Sequence, residues 1–264
     1  MGRITSRRRI VRRTVGAPPG RREDVLTVEE PLEIRVGGRS LAITMRTPGN
    51  DVDLALGFLV SEAVITRGDD VVAARYCAGT DDDGANTYNV LDITLAPGVA
   101  APDPGLERNF FISSSCGLCG KASIDAVRTR SVYPVADDPV RVTEELHAAG
   151  LFDVATGRAL VVREDVGRHN AVDKVIGWAA REGLLPLRGT VLMVSGRASF
   201  ELTQKASMAG IPVLAAVSAP SSLAVELGVD VGLTVVGFLR GQSMTVYSGG
   251  ARVMSEAELA ALAS

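Results

Sequence analysis

The residues best able to do chemistry in this 264-residue chain are few, and they cluster. Cys116 and Cys119 lie in Phe110-Phe-Ile-Ser-Ser-Ser-Cys116-Gly-Leu-Cys119-Gly-Lys121, ahead of a helix-like Ala122-Ser-Ile-Asp-Ala-Val-Arg128. Gly117 and Gly120 let the backbone turn sharply and bring N–H groups toward the sulfurs. Lys121 and a helix start favour thiolate over thiol. A free thiol of pKa ~8.5 is a few per cent thiolate at neutral pH, and lowering it to ~7 gives about half. Four chemistries fit this spacing: acceptance and transfer of a persulfide sulfur, dithiol–disulfide redox, metal binding, or two small residues in a tight loop. A thioredoxin-like pair belongs after an early strand, usually behind an aromatic, and this pair sits mid-chain behind three Ser. Cys116, Cys119, His147 and His169 offer four zinc ligands, but neither a second CxxC nor an HxxxH supports a closed site.

Two further segments concentrate polar groups. Val161-Val-Arg-Glu-Asp-Val-Gly-Arg-His-Asn-Ala-Val-Asp-Lys174 packs Glu164, Asp165, Arg168, His169, Asn170, Asp173 and Lys174 into a strand-to-helix turn. Singly, Asp173 and Lys174 read as a solvated helix face, Asn170 as an N-cap and His169 as a structural histidine. Together on one loop they point to a binding site, because ligands gather at the carboxyl ends of strands in open α/β sheets. In Val194-Ser195-Gly196-Arg197-Ala198-Ser199-Phe-Glu201 a strand ends in Ser-Gly-Arg and a helix begins, a turn ready for an anion. The Gly spacing and Lys-Ser/Thr ending of a Walker A loop are absent.

The elements that must hold these groups follow from periodicity. Leu32–Val36 and Leu41–Met45 alternate around Gly37-Gly38, a β-hairpin pattern. Asn50 is expected to cap a helix from Asp51 to about Glu62, and Tyr88–Leu95 alternates as a strand. Later come apolar strands at Ala159–Val162, Thr190–Val194, Val213–Val217 and Leu233–Phe238. Between them lie helices at Asn170–Glu182, from Ser199 to Ala209 with a stop at Gly210, and from Ser221 or Ser222 to Gly228. Continuously apolar strands alternating with helices predict an α/β layer with largely parallel, buried strands. The 20 uncharged residues between Lys205 and Glu226 contain Pro212, Pro220, Gly210 and four Ser, so they are read as buried elements and a loop rather than a membrane span.

Composition narrows the function classes. Of 28 basic residues only Lys121, Lys174 and Lys205 are Lys. Residues 1–22 carry eight Arg and no acid, followed by an acidic body with 20 basic against 31 acidic groups. That balance argues against extended nucleic-acid binding. The segment 1–22 reads as a disordered, solvated tail, since its Arg run meets Gly16-Ala-Pro-Pro-Gly20 rather than the apolar stretch of an export signal. Three Cys make no disulfide framework, which places the chain in a reducing, cytoplasmic setting.

The motifs CGLCGKASIDAV, VVREDVGRHNAVDKVIGW, VSGRASFELTQKASMAGIPVLAAVSAPSSLAVELG and GFLRGQSMTVY, with TPGNDVDLALGFLVSEAVI near the front, resemble the FdhD/NarQ family of formate dehydrogenase accessory proteins, in order from about residue 24 to 250. The resemblance implies a sulfur carrier that takes persulfide sulfur from a cysteine desulfurase and delivers it to the molybdenum cofactor of formate dehydrogenase. Cys116 would carry the persulfide, with Cys119 as its partner. The resemblance also implies binding of the bis(molybdopterin guanine dinucleotide) form of that cofactor, with no metal of the chain's own. Phe238, Leu239, Arg240, Gly241, Gln242 and Ser243 match the terminal binding stretch, although Gln242-Ser243 stand where Gly-Arg is expected. Arg168, His169, Lys174, Ser195, Gly196 and Arg197 would complete the cofactor site, the cations meeting its phosphates. The alternative is a cofactor-binding maturation chaperone whose Cys pair is redox or structural.

The implied fold is α/β: a basic tail over 1–22, a smaller N-terminal α+β lobe over 23–115, and the CxxC loop with a cytidine-deaminase-like α/β domain over 116–264. The deaminase zinc signature is absent, which disfavours deamination. No nucleic-acid or membrane partner is expected, and a homodimer is left open. Between Val140 and His147 the chain reads Val-Arg-Val-Thr143-Glu-Glu-Leu146-His, shorter than the family's stretch and without its Thr-Gly-Gly.

Overall fold

Gly37 and Gly38 both hold positive φ, 58° and 80°, the conformation that a two-residue hairpin turn demands. β3 (Glu30–Val36) therefore turns directly into β4 (Arg39–Arg46), as the sequence predicts. The computed structural model describes residues 5–12, 20–77, 88–102, 131–133, 135, 149–240 and 243–253. The expectations for Cys116, Cys119, Lys121, His147, Gly241 and Gln242 lie outside these residues.

β5 (Val71–Tyr76) and β6 (Val90–Leu95) complete a four-stranded sheet of order β4-β3-β6-β5. Its period-two apolar residues Leu32, Ile34, Leu91 and Ile93 are buried. β1 (Thr5–Arg12), in the stretch 1–22 expected to be a disordered tail, pairs antiparallel with β2 (Gly20–Thr27), most of which lies beyond that stretch. Their register sets basic Arg8 and Arg9 opposite acidic Asp24 and Glu23. α1 (Asp51–Ser61) starts after Asn50, but Asn50 is left-handed (φ 55°) and its side chain makes no cap bond. Asp51 instead accepts from the Gly49 N–H at 3.2 Å and takes Arg46 in a two-pronged contact at 3.0 and 3.1 Å.

The second half builds β7 (Ala149–Asp153), β8 (Ala159–Arg163), α2 (Arg168–Arg181), β9 (Thr190–Val194), α3 (Phe200–Met208), β10 (Val213–Ala216), α4 (Ser222–Asp230), β11 (Thr234–Arg240) and β12 (Ser243–Ser248). The strands form one sheet of order β12-β11-β10-β9-β7-β8. The largely parallel sheet expected from the sequence is in fact mixed: β9, β10 and β11 are parallel, while β7 runs against both β8 and β9 and β12 runs against β11. β7 and β12 escaped the sequence reading. β7 is only five residues long and begins the second half with small residues Ala149-Gly150. β12 is a mostly exposed edge strand of six residues, Ser243-Met-Thr-Val-Tyr-Ser248.

Two helix limits also differ from expectation. α2 begins at Arg168 behind Gly167, so Asn170 lies inside its first turn and does not cap it. The last helix continues past Gly228 to Asp230; Gly228 is a packing position, where a Cβ would stand 2.7 Å from Ser248 Oγ and Val235 Cγ2. Ser199 caps α3 as predicted, accepting from the Leu202 N–H, and the helix stops before Gly210 at φ 70°.

The two halves share one core. A single apolar cluster runs from Leu32, Leu54 and Leu91 to Val172, Ile176, Leu192 and Leu214, with α1 packed on α2. This contact is a backbone-to-backbone approach. A Cβ on Gly57 of α1 would lie 1.8 Å from the Asp173 carbonyl oxygen, and one on Gly177 of α2 would lie 1.7 Å from that of Asp53. Neither neighbour is a flexible side-chain end, so the helices would have to separate. Gly57→Ala and Gly177→Ala are each expected to cost about 2–3 kcal/mol of stability. A urea titration checks this, and unchanged midpoints would contradict the close contact.

Candidate functional site

β8, β9, β10 and β11 all end at the same edge of the six-stranded sheet, because β7 lies between β8 and β9 in the sheet and is antiparallel to both. Three segments meet there: the β8–α2 turn at 164–167, the β9–α3 turn at 195–199 and the β10–α4 loop at 217–221. The Val217 N–H donates to the Val194 carbonyl at 3.1 Å and the Ser221 N–H to that of Ala198 at 2.9 Å, joining the second and third. The first joins the second through Arg168, whose Cδ would stand 3.3 Å from a Cβ at Gly196. The Arg168 stem therefore lies along the bare Gly196 backbone. Arg168, Ser195 and Arg197 are exposed on this rim.

The terminal stretch reaches the same edge. A register irregularity between Gly237 and Arg240 breaks the β11–β12 ladder. Phe238 sits there at φ 53°, a left-handed conformation rare for an aromatic residue, with its ring exposed. Arg240 is exposed, and Ser243 donates its hydroxyl to the Arg240 carbonyl at 3.0 Å. Leu239 turns the other way into the apolar cluster with Val236, Val213 and Met193, which makes it a packing residue.

Asp165 holds the β8–α2 turn together. Its carboxylate accepts from the Gly167 N–H at 2.8 Å, the Thr47 N–H at 3.1 Å and Asn170 Nδ2 at 3.1 Å, and pairs with Lys174 Nζ at 2.7 Å. Lys174 donates further to the carbonyls of Thr47 at 3.0 Å and Glu164 at 3.4 Å. The structure thus corrects the expectation that Lys174 meets phosphates: it is 1% exposed and its ammonium is engaged by three oxygens. Asn170 Nδ2 also reaches the Met45 carbonyl at 2.7 Å, so the turn is pinned to β4 of the other lobe.

Beneath the rim lies a second charged group. Asp173 is buried rather than on a solvated face, and its two oxygens lie 2.8 and 3.0 Å from Lys205 Nζ. Ser61 of α1 donates to the same carboxylate at 3.1 Å. Burial works against the Lys205 charge, but the carboxylates of Asp173, Glu201 and Glu62 outweigh it and raise its pKa. Glu201 sits 3.5 Å from that ammonium on one oxygen and 3.6 Å from His169 Nε2 on the other. His169 Nε2 is also 3.2 Å from Ser199 Oγ. His169 is therefore buried under the rim and not presented on it.

Sequence reasoning counted Asp165 among the binding-loop residues rather than as the brace of the turn, and assigned no role to Glu201, Thr47 or Ser61. The one signal for Glu201 was its four-residue spacing to Lys205 on a helix. Among the described residues no group of three or more His, Cys, Asp or Glu side chains is placed to hold a metal ion. None of their helices is long and apolar enough to cross a membrane.

Burial pushes the Glu201 carboxyl from its ordinary 4.5 up to about 6, with Lys205 opposing. The folded chain thus takes up this proton at higher pH than the unfolded chain. Stability from this group rises as pH falls from 6 to 4.5, and above 6 the carboxylate carries its full cost. Glu201→Gln is expected to stabilise the protein by about 1–2 kcal/mol at pH 8 and by nothing at pH 4.5. Denaturant titrations at the two pH values check this; an equal effect at both would contradict the shift.

Comparison with known proteins extends this geometry. The family model described as FdhD/NarQ family matches residues 27–145 and 136–254. The two matches overlap at 136–145, which takes in much of the stretch between Val140 and His147 where the sequence reads short. A protein named sulfur carrier protein FdhD from Streptomyces coelicolor is 58% identical over 275 positions, covering 96% of this chain and 97% of the relative. Proteins of the same name from Nocardia farcinica and Mycobacterium tuberculosis are 56% and 51% identical over 277 positions, each covering 96% of this chain and covering 96% and 100% of themselves. These alignments are longer than the chain, so the relatives carry residues it lacks. A crystal structure of a protein assigned as a formate dehydrogenase accessory protein, from Desulfotalea psychrophila, superposes with a TM-score of 0.73 at 21% identity, covering 96% of this chain and all of that one. That likeness concerns the mixed α/β fold alone.

Proposed function

The chain belongs to the FdhD/NarQ family, and on that premise we propose that it is a sulfur carrier serving formate dehydrogenase, taking sulfur from a cysteine desulfurase and passing it to that enzyme's molybdenum cofactor. The observation that carries the reading is the meeting of two family motifs on one sheet edge, where the Arg168 stem crosses Gly196 beside exposed Arg197. A planar guanidinium pair over a helix start suits the phosphates of a guanine-dinucleotide cofactor. Gly196 leaves backbone open to close approach, and exposed Phe238 and Arg240 add a ring face and a donor fork on the same edge.

On this reading the Cys116 thiolate attacks the outer sulfur of the desulfurase persulfide. A new S–S bond forms on Cys116, the bond inside the donor persulfide breaks, and the desulfurase leaves as its thiolate. Gly117, Gly120 and Lys121 favour the thiolate that this attack needs. Cys119 is the partner thiol. The bound cofactor is the cargo that receives the sulfur, and Arg168, Ser195, Gly196, Arg197, Phe238, Arg240 and Ser243 are the described residues proposed to hold it, with Gly241 and Gln242 between. The cytidine-deaminase likeness of the second lobe and a cytoplasmic location belong to the same proposal.

Incubation with a cysteine desulfurase and cysteine is expected to add one sulfur atom to the wild-type chain and none to Cys116→Ala. Intact-mass measurement reads the load. Equal loading of Cys116→Ala would contradict the assignment to Cys116, and no loading of the wild type would favour the cofactor-binding chaperone.

A further inference from the structure

Two carboxylates and one ammonium share the space beneath the rim. Lys205 meets Asp173 on both oxygens at 2.8 and 3.0 Å, so it is committed to that residue. Glu201 is left with the longer 3.5 Å contact on Oε1. Its Oε2 is buried and has no hydrogen-bond partner among the described residues, facing His169 Nε2 at 3.6 Å. The charged and titratable groups here are Glu201 and Lys205 on α3, His169 and Asp173 on α2, and Glu62 just past α1. Three of these five groups are carboxylates, against one fixed cation. Burial raises the Asp173 carboxyl as well, but its two short contacts to Lys205 and the Ser61 hydroxyl favour its charged form, so the geometry gives a proton taken up here to Glu201.

Glu201 also lies in the first turn of α3, four residues after Arg197, while His169 follows Arg168 directly. Both members of the pair are thus joined to the two exposed cations of the rim. An anion placed on the start of α3 repels the carboxylate inside its first turn. Protonation removes that repulsion and supplies Oε2 with a hydrogen to direct at the imidazole.

We propose that Glu201 is the proton-binding residue of the rim: a phosphate-bearing ligand held by Arg168 and Arg197 draws one proton from solvent onto the Glu201 carboxylate, facing His169. The inference rests on the cofactor-binding part of the function proposed above. It adds that binding and protonation are linked, so the ligand is held more tightly as pH falls and is released with the proton. The ordinary carboxylate range is too acidic for such a link near neutral pH, whereas burial puts this carboxyl at about 6.

A suitable probe is diguanosine pyrophosphate, whose two phosphates each have one ester and one anhydride linkage and so carry one fixed charge each between pH 5 and 8. Titration calorimetry in two buffers of different ionisation heat reads affinity and proton uptake together. Wild type is expected to bind roughly fivefold more tightly at pH 5.5 than at pH 7.5, with net proton uptake near pH 6. Glu201→Gln is expected to bind equally at both pH values with no uptake. Wild-type binding that is independent of pH overturns the proposal without any variant. Uptake retained in Glu201→Gln overturns it while the cofactor reading stands. Failure of the wild type to bind the probe at either pH overturns both.

Discussion

The close crossing of α1 and α2 at Gly57 and Gly177 fixes most of what surrounds the rim. With carbonyl oxygens where side chains would normally stand, the helices approach near enough for the polar residues between them to bridge the lobes. Ser61 reaches Asp173 across this contact. Arg163 and Arg181 both reach Asp53, at 3.2 and 2.8 Å. α2 is therefore the element that joins the lobes, and its first turn presents Arg168. Wider spacing at either glycine would shift that turn relative to the sheet edge.

Buried charge gives the contact its register. Arg46 with Asp51, Lys174 with Asp165, and Lys205 with Asp173 are ion pairs whose members are all nearly inaccessible. Such pairs add little net stability against apolar replacements, because desolvation offsets most of the attraction. Losing one partner is another matter, since it strands a buried charge at about 3–5 kcal/mol. The pairs therefore act against misaligned packing. Lys174 has its ammonium between Asp165 of one lobe and the Thr47 carbonyl of the other, so it locks the β8–α2 turn only when both lobes are in place.

This explains which parts of the molecule were legible in the sequence. The hairpin at Gly37-Gly38, the Ser199 cap and the strand Thr190–Val194 are set by local chemistry and stand where periodicity put them. Non-local pairing was illegible: β7 enters the sheet between β8 and β9, and nothing within Ala149–Asp153 specifies that neighbour. Lys174 misled for the same reason. Lys174 on an amphipathic helix looks solvated, and only a partner nine residues away, Asp165, turns it inward. Glu201 carried no sign of its environment beyond the Lys205 spacing. Arg168 and Arg197 were legible as anion-binding candidates because turns at strand ends stay on the surface whatever the topology.

The account makes the folded scaffold a holder for an anionic cargo and assigns the reaction to Cys116. The most direct measurement is complementation of a strain lacking its own FdhD/NarQ protein, read as formate dehydrogenase activity in cell extracts. The account predicts that the wild-type chain restores activity and that Cys116→Ala, expressed to the same level, does not. Restoration by Cys116→Ala would contradict it, leaving a scaffold that serves the cofactor without carrying sulfur.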